Sequence, residues 1–491
     1  MKLSKLRIDI LFYLLMLVTK QTNAQENTAA EKGTPIQVAT IHRFPSKILN
    51  ETREIWVSVP SDFHEELKGQ KFPVAIVLDG PDHFYSLVGM LDRFSRNPGN
   101  EVCPPMIVVG LVNTNRERDF NVDINNDPFA DALKSEIIPY IDEHFPTQPF
   151  RILIGHSLAG LRTIHTAIFY EDLFKGYLAI DPSVGQRRNA WYESVRNKIE
   201  QFYPEKSSIY VAMAQTMPGK MVQDTASIKA DTTGYSNHMR RIMEFSEMET
   251  RKNNAQRSHF KWNYFPDENH QSVTQLGMYE GIKYLFRWFK PSFYSSFFDT
   301  EVSPEKAAAM YEKYYTYVTE QLGYTYLPPE DERGLTDYLF YKNQPAKALA
   351  IAALNRKYFP QSEISKRNYI DVLWRTRKNV GDLLKSRPVK FVVTFCKNEA
   401  KKKEPEYNIS EDAINTLGYE LMRTQQNEDA LAIFRMNTEL YPASANVWDS
   451  YGECLLNMNR KAEARNAYSR SLELDPDNGN ARRILLELKR K

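Results

Sequence analysis

Residues 411–444 and 445–478 align without a gap over 34 positions. Leu417 falls opposite Tyr451, Gly418 opposite Gly452, Ala430 opposite Ala464, Phe434 opposite Tyr468 and Pro442 opposite Pro476. A repeat of this length restricts the segment to stacked helix pairs: small residues let two helices approach, aromatics fill the space between them, and proline ends the second helix. A weaker copy at 329–362 keeps Ala348 and Pro360 in register, and "ARRILLELKRK" supplies a polar terminal cap. Residues 299–491 are therefore expected to form an all-α repeat domain.

The rest of the chain reads differently. Between about 36 and 300, short β-rich apolar runs alternate with helical patterns, the signature of a mainly parallel α/β sheet. "REIWVSVP", "FPVAIVLDG", "MIVVGLV", "RILIGHS", "GYLAID", "SIYVAMA" and "KWNYFP" read as strands. "PFADALKSEIIPYIDEHF" and "HQSVTQLGMYEGIKYLFRWF" read as helices,. A chain of 491 residues exceeds one ordinary core, so an α/β domain over 25–298 followed by the helical domain is the expected organisation,. Lys+Arg 64 against Asp+Glu 62 leaves a charge of +2, which gives no ground for a nucleic-acid partner,. Cys103, Cys396 and Cys454 have neither disulfide-framework nor metal-site spacing and are expected to be buried thiols,.

At the start of the chain, Lys2, Lys5 and Arg7 precede an apolar run at 8–18 and small residues around Thr22 and Ala24, the layout of a secretory signal peptide over 1–24,. The run is shorter than the roughly 20 residues of a spanning helix. The expectation is cleavage near Ala24, an exported chain that is periplasmic or secreted, and no membrane span after signal removal.

The chemistry centres on "RILIGHSLAG". Gly155, His156, Ser157, Leu158 and Ala159 form a G-x-S-x-A version of the nucleophile elbow, set between a predicted strand and a predicted helix,. A serine hydroxyl needs a general base, and His270 in "YFPDENHQSV" follows the last predicted strand, where such a base belongs. The acid that orients the histidine is expected to be Asp231, with Asp224 second and Asp181, at the end of "GYLAI", third. Oxyanion donors are expected from the amides of Leu158 and of Gly80, or of Asp82, since Pro81 has no N–H. No metal or organic cofactor is implied.

Taken together, "LDGPDHF", "VVGLVNTNRERDF", "GHSLAGL", "AIDPS" and "YFPDENHQSV" make residues 36–290 resemble the putative-esterase family of α/β-hydrolases, which includes ferric-enterobactin esterases, S-formylglutathione hydrolases, feruloyl and acetylxylan esterases and mycolyltransferases. The C-terminal repeats resemble tetratricopeptide repeats. The resemblance implies an α/β-hydrolase sandwich carrying a C-terminal tetratricopeptide-type domain. It implies Ser157 as nucleophile and His270 as base, with Asn115, Arg116, Arg118 and Asp119 contacting substrate or bracing the site. Two departures stand out: Ala159 replaces a glycine, and "DPSVGQRRNAW" carries Arg187 and Arg188 in place of the relatives' paired tryptophans. The expected activity is hydrolysis of a carboxylic ester, of a small molecule, carbohydrate or siderophore, through an acyl-enzyme. The alternatives are acyl transfer to another hydroxyl, or a repeat-based binding protein with a vestigial hydrolase domain. The repeats are expected to bind a protein partner or to mediate self-association.

Overall fold

The computed structural model describes residues 36–490 apart from 63, 65–66, 97–100, 123–125, 185–196, 199–206, 218–223, 254–258 and 291–293. The expected signal peptide, and Arg187 and Arg188, lie outside the described residues. Two compact units are present, Met1–Arg287 and Trp288–Lys491.

The first unit is built on eight strands: β1 (Thr40–Ser46), β2 (Glu51–Ser58), β3 (Phe72–Val77), β4 (Ile107–Leu111), β5 (Thr147–His156), β6 (Gly176–Ile180), β7 (Ser208–Ala214) and β8 (Phe260–Phe265). Their order in the sheet is β1-β2-β4-β3-β5-β6-β7-β8. β2 runs antiparallel to β1 and β4, and all other pairings are parallel. Every residue of β3, β4 and β6 is buried, as expected of central strands covered on both faces,. The period of two divides their side chains. Ile76, Leu153, Tyr177, Ala179 and Val211 join one core with Leu133, Ile137, Ile164, Met239 and Ile242 from helices. The alternate residues Leu178, Ile180 and Ala212 meet Gly281 and Gly277 of the helix Val273–Leu285 on the other face,. Four helices matter for the site: α1 (Gly80–Ser95), α2 (Leu158–Phe169), α3 (Asn237–Asn253) and α4 (Val273–Leu285).

β1 was not among the expected strands. It lies at the sheet edge, contains Pro45 and exposes alternate residues, so its apolar signal is weak,. The unit boundary also falls earlier than 298/299. Phe297 and Val302 belong to a helical core with Ala307, Tyr311, Leu339 and Ala348, so the aromatic stretch after Trp288 starts the second unit and does not finish the first.

In the second unit, the predicted pairs appear as Arg333–Tyr341 with Pro345–Tyr358, Glu411–Arg423 with Asn427–Leu440, and Ala445–Asn457 with Lys461–Leu474, followed by Gly479–Arg490. The repeat's small residues are where the aromatics press hardest. A β-carbon on Gly418 would sit 2.6 Å from the Phe434 ring, and one on Gly452 would sit 3.0 Å from the Tyr468 ring. Gly418→Ala is expected to destabilise this unit by about 1–3 kcal/mol, because the ring has no free volume to retreat into. Calorimetry of the full chain reads this as a lowered transition, and an unchanged one would show that the pair relaxes freely. The three cysteines are free and fully buried. Among the described residues no helix is long and apolar enough to cross a membrane.

Candidate active site

The strand order reverses between β4-β3 and β5-β6, so the carboxyl ends of β3, β5 and β6 open a crevice at the switch point,. Each of these ends carries a non-glycine residue with positive φ: Asp79 (53°), Ser157 (58°) and Asp181 (40°). Such backbone is costly for residues with a β-carbon, and its concentration here marks a site held in shape by its surroundings.

Ser157 is the turn between β5 and α2, with φ 58° and ψ −118°. Its N–H donates to the Ile180 carbonyl (2.9 Å), and its carbonyl accepts from the Ser183 N–H (3.0 Å). The turn needs Gly155, because a β-carbon there would collide with the Ala159 carbonyl and lie 2.6 Å from Thr163 Oγ1. At position 159 the extra methyl is tolerated: Ala159 is fully enclosed in the core, while the close approach to Pro182 falls on Gly160, where a β-carbon would lie 3.0 Å from the Pro182 Cα.

His270 Nε2 lies 3.0 Å from Ser157 Oγ, and its Nδ1 lies 2.5 Å from Asp181 Oδ2. The histidine's loop is pinned by Asn269, whose Oδ1 accepts from the N–H groups of Gln271 (2.9 Å) and Ser272 (3.0 Å). The His270 carbonyl accepts a hydrogen bond from His156 Nε2 at 2.6 Å. Asp181 is completely buried. Its Oδ1 accepts from the Ala214 N–H (2.9 Å), and its Oδ2 accepts from His238 Nε2 (3.2 Å) as well as from His270. Burial pushes this carboxyl up, but the hydrogen bonds from His238 and His270 overrule it and hold it at about 2,. The acid is thus ionised near neutral pH.

This arrangement corrects the expected acid. Asp231 is partly exposed at the end of the helix Thr225–Ala230, where its Oδ1 accepts from the Thr233 N–H (2.6 Å). Asp224 caps the start of the same helix through the Ser227 N–H (2.7 Å). Both are occupied by local backbone. Asp181 follows β6, the immediate neighbour of the serine's strand, so a short side chain reaches the imidazole from there.

Gly80 and Leu158, the expected oxyanion donors, are the first residues of α1 and α2. Amides in the first turn of a helix have no intrahelical acceptor, which leaves these two able to meet a negative oxygen. Asp82 is less suited, since its N–H already donates to the Asp79 carbonyl at 3.0 Å. Gly80 is pressed against β4, where a β-carbon would meet the Gly110 backbone at 2.7 Å. The cleft beside the two helix starts measures about 550 Å³ and is lined by Asp79, Arg116, His156, Ser157, His270 and Gln271 among others.

Arg116 holds Asp79 through two hydrogen bonds of 2.9 Å, and Asn113 adds a third. That clamp fixes the strained residue just before Gly80. Asn115 caps the short helix Arg116–Phe120 by accepting from the Arg118 N–H at 3.0 Å. Asp119 is fully buried between Arg53 (2.7 Å) and Arg118 (2.5 Å) and does not line the cleft. Of this loop, only Arg116 faces the site.

Three participants were missed in the sequence: His156, His238 and Ser183, whose Oγ is 3.3 Å from Ser157 Oγ. Only "DPS" hinted at Ser183. His156 is held low, at about 4 against 6.5 when free, chiefly by burial and then by the neighbouring His270. Between those values the unfolded chain binds a proton that the fold refuses, so stability is complete above pH 6.5 and declines as pH falls toward 4. The expected loss is about 2–3 kcal/mol. Chemical denaturation across this range should show it in the native chain and a flatter profile in His156→Gln; parallel profiles would reject the assignment.

The donor atoms of Asp181, His238 and His270 lie within 4.8 Å of one another, the one grouping of three candidate metal ligands among the described residues. The same atoms already serve the hydrogen bonds above.

A strained serine between strand and helix, a histidine from the β8 loop and an aspartate from a neighbouring strand end, on an eight-stranded sheet of this order, define an α/β-hydrolase-type domain. Residues 46–277 match the family described as "Putative esterase", and residues 445–478 match the tetratricopeptide repeat. The esterase match supports a hydrolase activity for this domain. An IroE-like serine hydrolase from Shewanella oneidensis is similar in fold, with 23% identity, a TM-score of 0.52, and coverage of 65% of this chain and 99% of that one. A siderophore hydrolase, EstB, from Aspergillus nidulans aligns at 16% identity and TM-score 0.43 over 53% of this chain and 98% of its own. An uncharacterised protein from Capnocytophaga ochracea aligns at 14% identity and TM-score 0.45 over 92% of this chain and 100% of its own. No curated protein matches the sequence.

Proposed function

We propose that this chain is an exported serine esterase that cleaves a carboxylic ester through an acyl-enzyme. The observation that carries the reading is the continuous hydrogen-bonded line from Asp181 Oδ2 through His270 to Ser157 Oγ, at 2.5 and 3.0 Å. Ser157 Oγ attacks the ester carbonyl while His270 Nε2 takes its proton, and Asp181 fixes the ring and stabilises its positive charge. The amides of Leu158 and Gly80 receive the oxygen that becomes negative. The ester C–O bond then breaks, the alcohol leaves with the proton held by His270, and the serine keeps the acyl group. Water, deprotonated by the same nitrogen, attacks this second ester and releases the acid, restoring Ser157.

Export is supported by Lys2, Lys5 and Arg7 ahead of the apolar run at 8–18,. The repeats are read as a surface for a protein partner, in keeping with the tetratricopeptide match,. A fluorophosphonate probe on the chain recovered after export tests the reading in one mass spectrum: the adduct reports the nucleophile and the remaining mass reports cleavage near Ala24. Esters of short acyl groups, ferulate, acetylated sugars and siderophores then sort the substrate. An unlabelled chain would remove the proposal.

A further inference from the structure

We propose that His238 is a positioning residue, which holds the Asp181 carboxylate in the orientation that His270 requires. The inference rests on the Asp181, His270 and Ser157 reading above and extends it by one residue.

Asp181 has two oxygens to fix. Oδ1 is tied to the Ala214 N–H on β7 at 2.9 Å. Oδ2 meets two imidazole nitrogens, His270 Nδ1 at 2.5 Å and His238 Nε2 at 3.2 Å. His270 sits on a loop and is 31% exposed, whereas His238 is the second residue of α3 and only 7% exposed. Without His238, the orientation of Oδ2 would be set by the very ring it has to orient. With it, the carboxylate is anchored at both oxygens by buried elements, the end of β7 and the start of α3, and His270 can turn or shed its proton without carrying the acid along.

The chemistry of the anchor suits the task. A carboxylate only accepts, so His238 Nε2 carries the hydrogen. His238 Nδ1 is buried and has no hydrogen-bond partner among the described residues. An arginine or lysine there would neutralise the acid and weaken its hold on the imidazolium. The two rings stand edge to face, with centroids 5.9 Å apart and planes at 83°, so His238 reaches Oδ2 from a direction that His270 does not use. In the sequence, His238 stood in a charged helical stretch with nothing to single it out.

The test compares three full-chain variants. His238→Gln keeps an amide N–H near the position of Nε2, His238→Asn places its amide too short to reach, and His238→Met fills the space with no donor. Two readouts are taken: kcat and KM on an ester that the native chain cleaves, and the far-downfield proton resonance of the His270–Asp181 hydrogen bond. The expected result is a fall in kcat on the order of 10–100-fold in the Asn and Met variants, with KM nearly unchanged and the resonance shifted or lost. The Gln variant should retain the resonance and most of kcat. Native kcat and an unmoved resonance in the Asn or Met variant would overturn the proposal, as would a Gln variant that folds yet is as impaired as Asn. The resonance needs no turnover. If the probe fails to label Ser157 while the resonance still responds to His238, the esterase reading falls and the positioning stands. The reverse pattern condemns the positioning alone.

Discussion

Ser157→Ala is expected to lower turnover of any ester that the native chain cleaves by on the order of 10⁵-fold and to abolish fluorophosphonate labelling. The loss is this large because the hydroxyl is the only group on the line from Asp181 that can bond to the acyl carbon. His270 could still polarise a water molecule, and the amides of Leu158 and Gly80 would still meet the oxyanion, so a small residual rate above the uncatalysed one is expected. The fold should not suffer, since the helix and strand on either side are fixed by Gly155 and Gly160 and not by the hydroxyl. Substrate turnover and intact mass, measured on the same preparation, check this. Equal labelling of the variant would place the nucleophile elsewhere.

Asp181→Asn should come next in size, a fall of about 10⁴-fold in kcat with KM little changed. The amide can present an N–H to His270 Nδ1, which stabilises the tautomer whose Nε2 already carries a hydrogen and cannot take one from the serine. The same substitution removes the negative charge that steadies the imidazolium. Asp231→Asn and Asp224→Asn, which disturb only the ends of a short helix, should leave kcat within about twofold of native. A series in which Asp231→Asn is the damaging change would restore the acid to the β7 side and contradict the 2.5 Å contact between Asp181 and His270.

The contrast between those aspartates shows what the sequence can and cannot say. That Ser157 and His270 would meet was legible because each sits in a local pattern: a strand, sharp turn and helix for one, and a loop between the last strand and the closing helix for the other. The acid has no such pattern. Any strand end next to β5 can supply it, and the long polar connection after β7 offered two aspartates that turned out to serve helix ends. His156, His238 and Ser183 were hidden for a related reason: His238 lies 57 residues from Asp181, and His156 lies 114 from the His270 carbonyl it holds. Contacts made across a sheet leave no period in the chain. The central strands were legible because burial on both faces demands continuous apolar runs, while β1, an edge strand, had no such demand upon it. The repeat was readable almost residue by residue, since Gly418 and Phe434 meet as their spacing requires.

The three strand ends with positive φ bear on whether the cleft is in use. Asp79, Ser157 and Asp181 each hold backbone that costs a residue with a β-carbon roughly 1–3 kcal/mol,. At each place glycine would relieve the strain. At Ser157 a scaffold kept only for its repeats would gain stability from that exchange, whereas at Asp79 and Asp181 the strain is offset by the hydrogen bonds to Arg116, the Ala214 N–H and His238. The chain instead bears the expense three times, at three adjoining strands, and each time with a side chain able to accept or give up a proton. Conformational thrift has been set aside where the carboxylates and the hydroxyl converge, as the proposed catalysis requires.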